Sequence, residues 1–294
     1  MGVPMTLHDR IKSLTIWQGS VEISPLDGGI TNRNFLVKDR VRKAVVRIGT
    51  DIAVHHIMRF NELAASKAAH AAGVSPAVIH HGDGLLVIDY VDGRTLAAPD
   101  FADDAILDQA VALLARAHRD IPAHLRGPAL IFWVFHVIRD YAATLQATSS
   151  PHSAKLRHLL AQASDLETAV GPIELVFGHN DLLPANFLHD GARMWLIDWD
   201  YAGFNSPLFD LGGLAANNAL TASQENRMWD HYFNRPATPV QWRAYLAMKA
   251  AAALRETLWS MVSELHSTLP FDYATYTTTN LATYDAAYLT FKTL

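Results

Sequence analysis

The sequence contains no cysteine. That excludes disulfides, thiolate metal centres and cysteine nucleophiles, and it suits a reducing compartment. It also lacks a long basic run. With a formal net charge of −5, neutralisation of a nucleic-acid backbone is not the expected mode of binding. No stretch approaches the roughly 20 apolar residues that cross a bilayer, and the N-terminal segment has no apolar core of signal-peptide length. There is no G-x-x-x-x-G-K-[ST] and no H-E-x-x-H, which removes the Walker phosphate cradle and the zinc-protease arrangement. The expectation is a cytoplasmic protein that meets a small molecule, with no nucleic-acid partner and no membrane span; a homodimer is compatible with all of this.

What remains is ample for a core. Half of the 294 residues are hydrophobic, enough for one large domain or two lobes sharing a cleft. The pattern changes near residue 97. Before it, "VEISPL", "NFLVK", "KAVVRI" and "GLLVIDYV" read as short strands rich in β-branched residues. "RFNELAASKAAHAAG" interrupts them as an alanine-rich helix stopped by Gly73 and Pro76. From Asp100 the chain reads as helical, with Ile106, Ala110, Leu113 and Leu114 on one face and further helices over 130–148 and 153–169. After Asn205 helices return, interrupted by Pro236, Pro239 and Pro270. This is an α+β, bilobal chain: residues 1–95 as a small antiparallel-sheet lobe with one helix, and residues 96–294 as a larger, mostly helical lobe, joined by a connector near residues 89–97.

One polar passage interrupts the helical lobe: "GHNDLLPANFLHDGARMWLIDWDYAG", residues 178–203. It reads as two strands joined at Asp190–Gly191. Such a hairpin brings Asn186, at the start of one strand, close to Asp198, at the end of the other. An amide oxygen and a carboxylate are hard ligands suited to Mg2+. Asp181 then lies nearby, free to take a proton from a hydroxyl. A base, a metal amide and a metal carboxylate are the parts that phosphoryl transfer from ATP uses.

The order His179, Asp181, Asn186, Asp198 resembles the protein-kinase catalytic loop in outline, and that resemblance implies a protein-kinase-like fold. "HNDLLPAN" with "LIDWDYAGFNSPLFDL" resembles the choline/ethanolamine kinase family within the wider aminoglycoside-phosphotransferase group. "LDGGITNRNFLV" resembles that family's nucleotide loop and "VVRIG" its arginine-bearing strand. The resemblance implies ATP at Gly28, Gly29, Thr31 and Asn32, with Arg47 on the phosphates and paired to Glu62, and with Asp89 and Val91 in the adenine-holding connector. Taken alone, the two glycines are equally an ordinary turn, and Arg47 an edge-strand residue facing water. His179 is read as a structural member of its loop. Asp210 is read as the aspartate that braces the catalytic loop, or as a simple helix cap.

For the acceptor, the resemblance selects Asp200, Tyr201 and the segment "RETLWSMVSELHSTLPFDYATY". Trp259 matches the second tryptophan of a W-x-x-W pattern, and Glu256 stands where the first belongs. A carboxylate there favours an acceptor with N–H donors over a quaternary ammonium; the bland alternative turns Glu256 to solvent. The implied activity is ATP- and Mg2+-dependent phosphorylation of the hydroxyl of an amino alcohol, choline or ethanolamine. Aminoglycoside or thiamine phosphorylation, a non-catalytic ATP sensor and a metal-dependent phosphohydrolase are the rivals. The histidine pairs at 55–56 and 80–81 read as surface or loop residues, since neighbours on a strand point to opposite faces.

Overall fold

The structure, a computed structural model, describes residues 6–26 and 32–293. Gly28, Gly29 and Thr31 of the expected nucleotide loop lie outside the described residues. After a short helix α1 (Leu7–Lys12) come β1 (Glu22–Leu26), β2 (Arg33–Lys38), β3 (Lys43–Ile48), α2 (Arg59–Ala71), β4 (Val78–Gly82) and β5 (Leu85–Asp89). The strands form one antiparallel sheet in the order β1-β2-β3-β5-β4. Its period of two is visible in burial. Phe35, Val37, Ala44, Val46, Leu85 and Val87 turn one face onto Ile11 of α1 and make a small core of their own. Arg47, one residue out of that phase, emerges on the opposite face, toward α2.

A two-residue strand β6 (Arg94–Thr95) leads to α3 (Asp104–His124), α4 (Val134–Ala147) and α5 (Ser153–Val170). The polar passage follows as β7 (Val176–Gly178), β8 (Phe187–His189), β9 (Met194–Leu196) and β10 (Gly203–Asn205); the chain closes with α6 (Pro207–Asn217), α7 (Ala222–Phe233), α8 (Pro239–His266) and α9 (Tyr273–Lys292). The hairpin is present, with Phe187 opposite Leu196 and β6 alongside β8. Its second strand is shorter than the apolar run suggests. It ends at Leu196, and Asp198 sits two residues beyond in a left-handed conformation, φ 68°.

One proline acts differently from the sequence expectation. Pro239 does not break a helix but opens α8 at its first turn, behind the cap Thr238, where its missing N–H costs nothing. Pro122 lies inside α3, within three residues of its end. Helix α8 is the axis of the large lobe. It packs against α4, α5, α6 and α9, and Ala244–Ser263 is buried almost throughout. Alanines at 247 and 250–253 keep it thin, and Gly212 of α6 lets the backbones meet: a Cβ there would stand 2.7 Å from Lys249 Cα.

Candidate active site

The loop after β7 is held from beneath. Asp210, in the first turn of α6 and buried, accepts hydrogen bonds from the backbone N–H groups of His179 (2.8 Å) and Asn180 (2.7 Å) and contacts His118 Nε2 at 2.9 Å. Burial raises the Asp210 carboxyl, but the contact with the His118 ring and the hydrogen bond from the His179 N–H outweigh it and hold it below its usual range. Asn180 is left-handed, φ 65°. Its Nδ2 donates to the carbonyls of Tyr201 and Gly203, which locks an uncommon backbone state in place. His179 is fully buried, its Nε2 2.8 Å from the Ile197 carbonyl. It therefore links the loop to the hairpin's end and has no face toward a substrate.

Asp181 emerges from this support. Asn186 Nδ2 donates to its carbonyl at 2.8 Å, and the Ile197 N–H donates to the Asn186 carbonyl at 3.0 Å. The hairpin thus gathers Asp181, Asn186 and Asp198 as the spacing predicts. Burial raises the Asp181 carboxyl to about 7; Glu256 and Asp198 add to the rise and Arg255 opposes it.

Two charge clusters flank this loop. On the small-lobe side, Arg47 Nη2 donates to Asp198 at 2.8 Å, with Glu62 3.3 Å from Nε and Asp200 3.5 Å from Nη2. Arg59 binds Glu62 (2.6 Å) and Asp200 (2.9 Å). Oxygens of Glu62, Asp198 and Asp200 lie within 4.8 Å of one another; they are hard donors of the kind a divalent cation takes, but Arg47 and Arg59 already engage both Glu62 and Asp200, which leaves Asp198 as the carboxylate of this group to serve a cation. Burial raises the Asp198 carboxyl, but the charge and hydrogen bond of Arg47 outweigh it and leave it lowered; Asp200 is pushed up, by burial and then by Asp198. Glu62 is thus no exposed helical glutamate, and Arg47 is no solvent-facing edge residue.

The sequence reading placed Asp200 and Tyr201 together at the acceptor. The structure sends these neighbours apart. Asp200 is buried among Arg47, Arg59 and Asn32, whose Nδ2 is 3.2 Å away; buried guanidinium groups need carboxylates. Tyr201 faces α8, where its hydroxyl accepts from Trp259 Nε1 at 2.8 Å. Glu256 faces inward and is buried; Tyr276 donates to it at 2.7 Å and Arg255 Nη1 at 2.7 Å. The solvent-facing alternative for Glu256 is excluded.

Asp89 and Val91 border a cleft of about 470 Å³ with Tyr90, Pro76 and, from the hairpin, Trp195. One histidine expectation fails: His55 is buried, 3.1 Å from Ser263 Oγ and with its ring 5.0 Å from that of Trp259. Burial, then the positive charge of Arg255, lowers it to about 3, so it is neutral.

Sequence reasoning missed Arg59, Arg255 and Tyr276. Arg59 carried a signal, standing three residues before Glu62 on a predicted helix. Arg255 and Tyr276 are the two ends of the segment selected for the acceptor but were not singled out within it, because charge and hydroxyl groups on the inner faces of two helices look the same in sequence as those on outer faces.

Residues 22–274 match the phosphotransferase enzyme family. Protein LicA of Haemophilus influenzae is 29% identical over 268 residues, which cover 87% of this chain and 78% of LicA. A probable ethanolamine kinase of Arabidopsis thaliana is 27% identical over 292 residues, 86% of this chain and 76% of that protein. The crystal structure of a choline/ethanolamine kinase family protein from Mesorhizobium loti superposes with a TM-score of 0.79 at 29% identity, covering 96% of this chain and 94% of its own.

Proposed function

Since the chain belongs to the phosphotransferase enzyme family, we propose that it transfers the γ-phosphoryl group of ATP to the hydroxyl of a small amino alcohol of the choline and ethanolamine class. The observation that carries this reading is the placement of Asp181 between two clusters of opposite use: Arg47, Arg59, Glu62, Asp198 and Asp200 on one side, and Tyr201, Arg255, Glu256, Trp259 and Tyr276 on the other. The relatives named as a probable ethanolamine kinase and as a choline/ethanolamine kinase family protein, at 27% and 29% identity, support the choice of acceptor.

In this reading ATP lies with its adenine in the cleft at Asp89, Val91 and Trp195, and its phosphates toward Asn32 and the positive charges of Arg47 and Arg59. Asn186 and Asp198 are the ligands assigned to Mg2+, which when bound neutralises phosphate oxygens. Arg47 keeps the Asp198 carboxylate ionised and aimed. Asp181 accepts the proton of the acceptor hydroxyl. That oxygen bonds to the γ-phosphorus as the bond to the β–γ bridging oxygen breaks, and the electron pair leaves with ADP. Most of the acceleration comes from holding the hydroxyl in line with the phosphorus and from preset charge.

The test is ADP release in Mg-ATP with choline, ethanolamine, thiamine or kanamycin as acceptor. Stimulation by an amino alcohol, abolished in Asp181→Asn while ATP still binds, is the expected result. ATP binding with no acceptor-stimulated release, or turnover that survives Asp181→Asn, refutes the reading.

A further inference from the structure

Arg255 stands where an incoming cation would be expected to stand. Its guanidinium lies 4.2 Å from the centroid of the Tyr201 ring, and its Nη1 contacts both Asp181 (3.3 Å) and Glu256 (2.7 Å). The residue is 3% exposed. Both ion pairs use the same nitrogen. Nε and Nη2 are buried and have no hydrogen-bond acceptor among the described residues. Donors stranded in this way are costly, and more so on a charged group. One cavity beside Asp181, on the α6 side and bounded by Arg255, Glu256 and Asn217, holds about 10 Å³, about the room of one water. A ligand reaching Asp181 from this side meets the guanidinium.

The charges point the same way. Asp181 and Glu256 share one guanidinium nitrogen, and Glu256 has its other oxygen on Tyr276. A bare ammonium finds its attractive carboxylates already paired and a positive neighbour at close range. A ligand carrying a carboxylate as well as an ammonium supplies acceptors for the idle donors in the bidentate geometry that guanidinium favours.

Building on the kinase reading above, we propose that the acceptor is a short hydroxylated zwitterion, an amino alcohol that also bears a carboxylate, and that Arg255 is the residue that reads the carboxylate. Because Arg255 Nη1 is 3.3 Å from Asp181 Oδ1, the carboxylate and the reacting hydroxyl sit close together on a short carbon skeleton. Ethanolamine and L-serine differ by that carboxylate alone, which makes them the decisive pair.

The experiment measures kcat/KM in Mg-ATP for L-serine, L-homoserine, ethanolamine and choline, with the wild type, Arg255→Met and Arg255→Lys, alongside thermal melting and ATP binding. The expected result is a preference of at least about tenfold for a hydroxy amino acid over ethanolamine, lost in Arg255→Met and partly kept in Arg255→Lys. If Arg255→Met melts below the assay temperature, the wild-type preference and Arg255→Lys decide. Preference for ethanolamine or choline overturns the proposal, as does a hydroxy-amino-acid preference that outlives the Arg255 variants. If choline or ethanolamine is phosphorylated and the amino acids are not, the kinase reading stands and this inference alone falls. ADP release with none of the four, with ATP still bound, refutes the kinase reading and this inference with it.

Discussion

Replacing Asp210 by alanine tests the architecture without touching a reacting atom. Its carboxylate satisfies two backbone N–H groups, at 2.8 and 2.7 Å, and meets a buried histidine nitrogen at 2.9 Å. The residue is 2% exposed, so water does not readily replace it. Each stranded buried donor costs about 1–3 kcal/mol. After partial relaxation the sum is about 3–5 kcal/mol, the range for breaking one side of a buried charged network. At about 2–4 °C per kcal/mol for a chain of this size, melting falls by about 6–20 °C. The second effect is on rate. Asn180 holds a left-handed backbone, φ 65°, partly through the bond from its N–H to Asp210. Released, it lets Asp181 drift, and a displacement of about 1 Å costs on the order of 10²-fold in kcat. Differential scanning fluorimetry and an acceptor-stimulated ADP assay read the two effects; Asp210→Asn, which keeps one oxygen, should fall between. A variant that melts within about 1–2 °C of wild type with unchanged kcat would show that the loop is held by something other than this carboxylate.

Three further outcomes follow from particular contacts. The Asp181 carboxyl is raised to about 7, and a base works only when deprotonated, so kcat/KM should climb as pH rises through about 7; an acid limb near 4, the ordinary carboxylate range, contradicts the burial argument. Gly212→Ala drives a Cβ to 2.7 Å from the Lys249 backbone and should cost about 1–3 kcal/mol, whereas Gly213→Ala, with no heavy atom within 4 Å, should be neutral or gain up to about 1 kcal/mol from helix propensity; equal melting temperatures for the two refute the close α6–α8 crossing. Arg47→Met leaves Glu62, Asp198 and Asp200 to share Arg59 and should lose about 3–5 kcal/mol, and melting that is unmoved would mean that this arginine is not buried among them.

The sequence by itself determined the elements and the loop. Alternating β-branched residues gave the sheet strands their phase, and that phase alone put Arg47 on the face opposite Val46. The run from His179 to Asn186, followed by a turn at Asp190–Gly191, determined the hairpin, because local spacing sets which residues stand opposite each other. Tertiary structure decided what the charges do. Asp200 and Tyr201 are adjacent in the chain, yet one belongs to two arginines of the small lobe and the other to a tryptophan 58 positions away. Glu256 could face water or the core on helical spacing alone, and the packing of α8 on α9 chose the core. Arg255 shows the same limit most clearly. A charge is legible in sequence, but its partners and its idle donors exist only once helices far apart in the chain close around it, since electrostatic energy depends on distance and burial, which spacing along a chain does not carry.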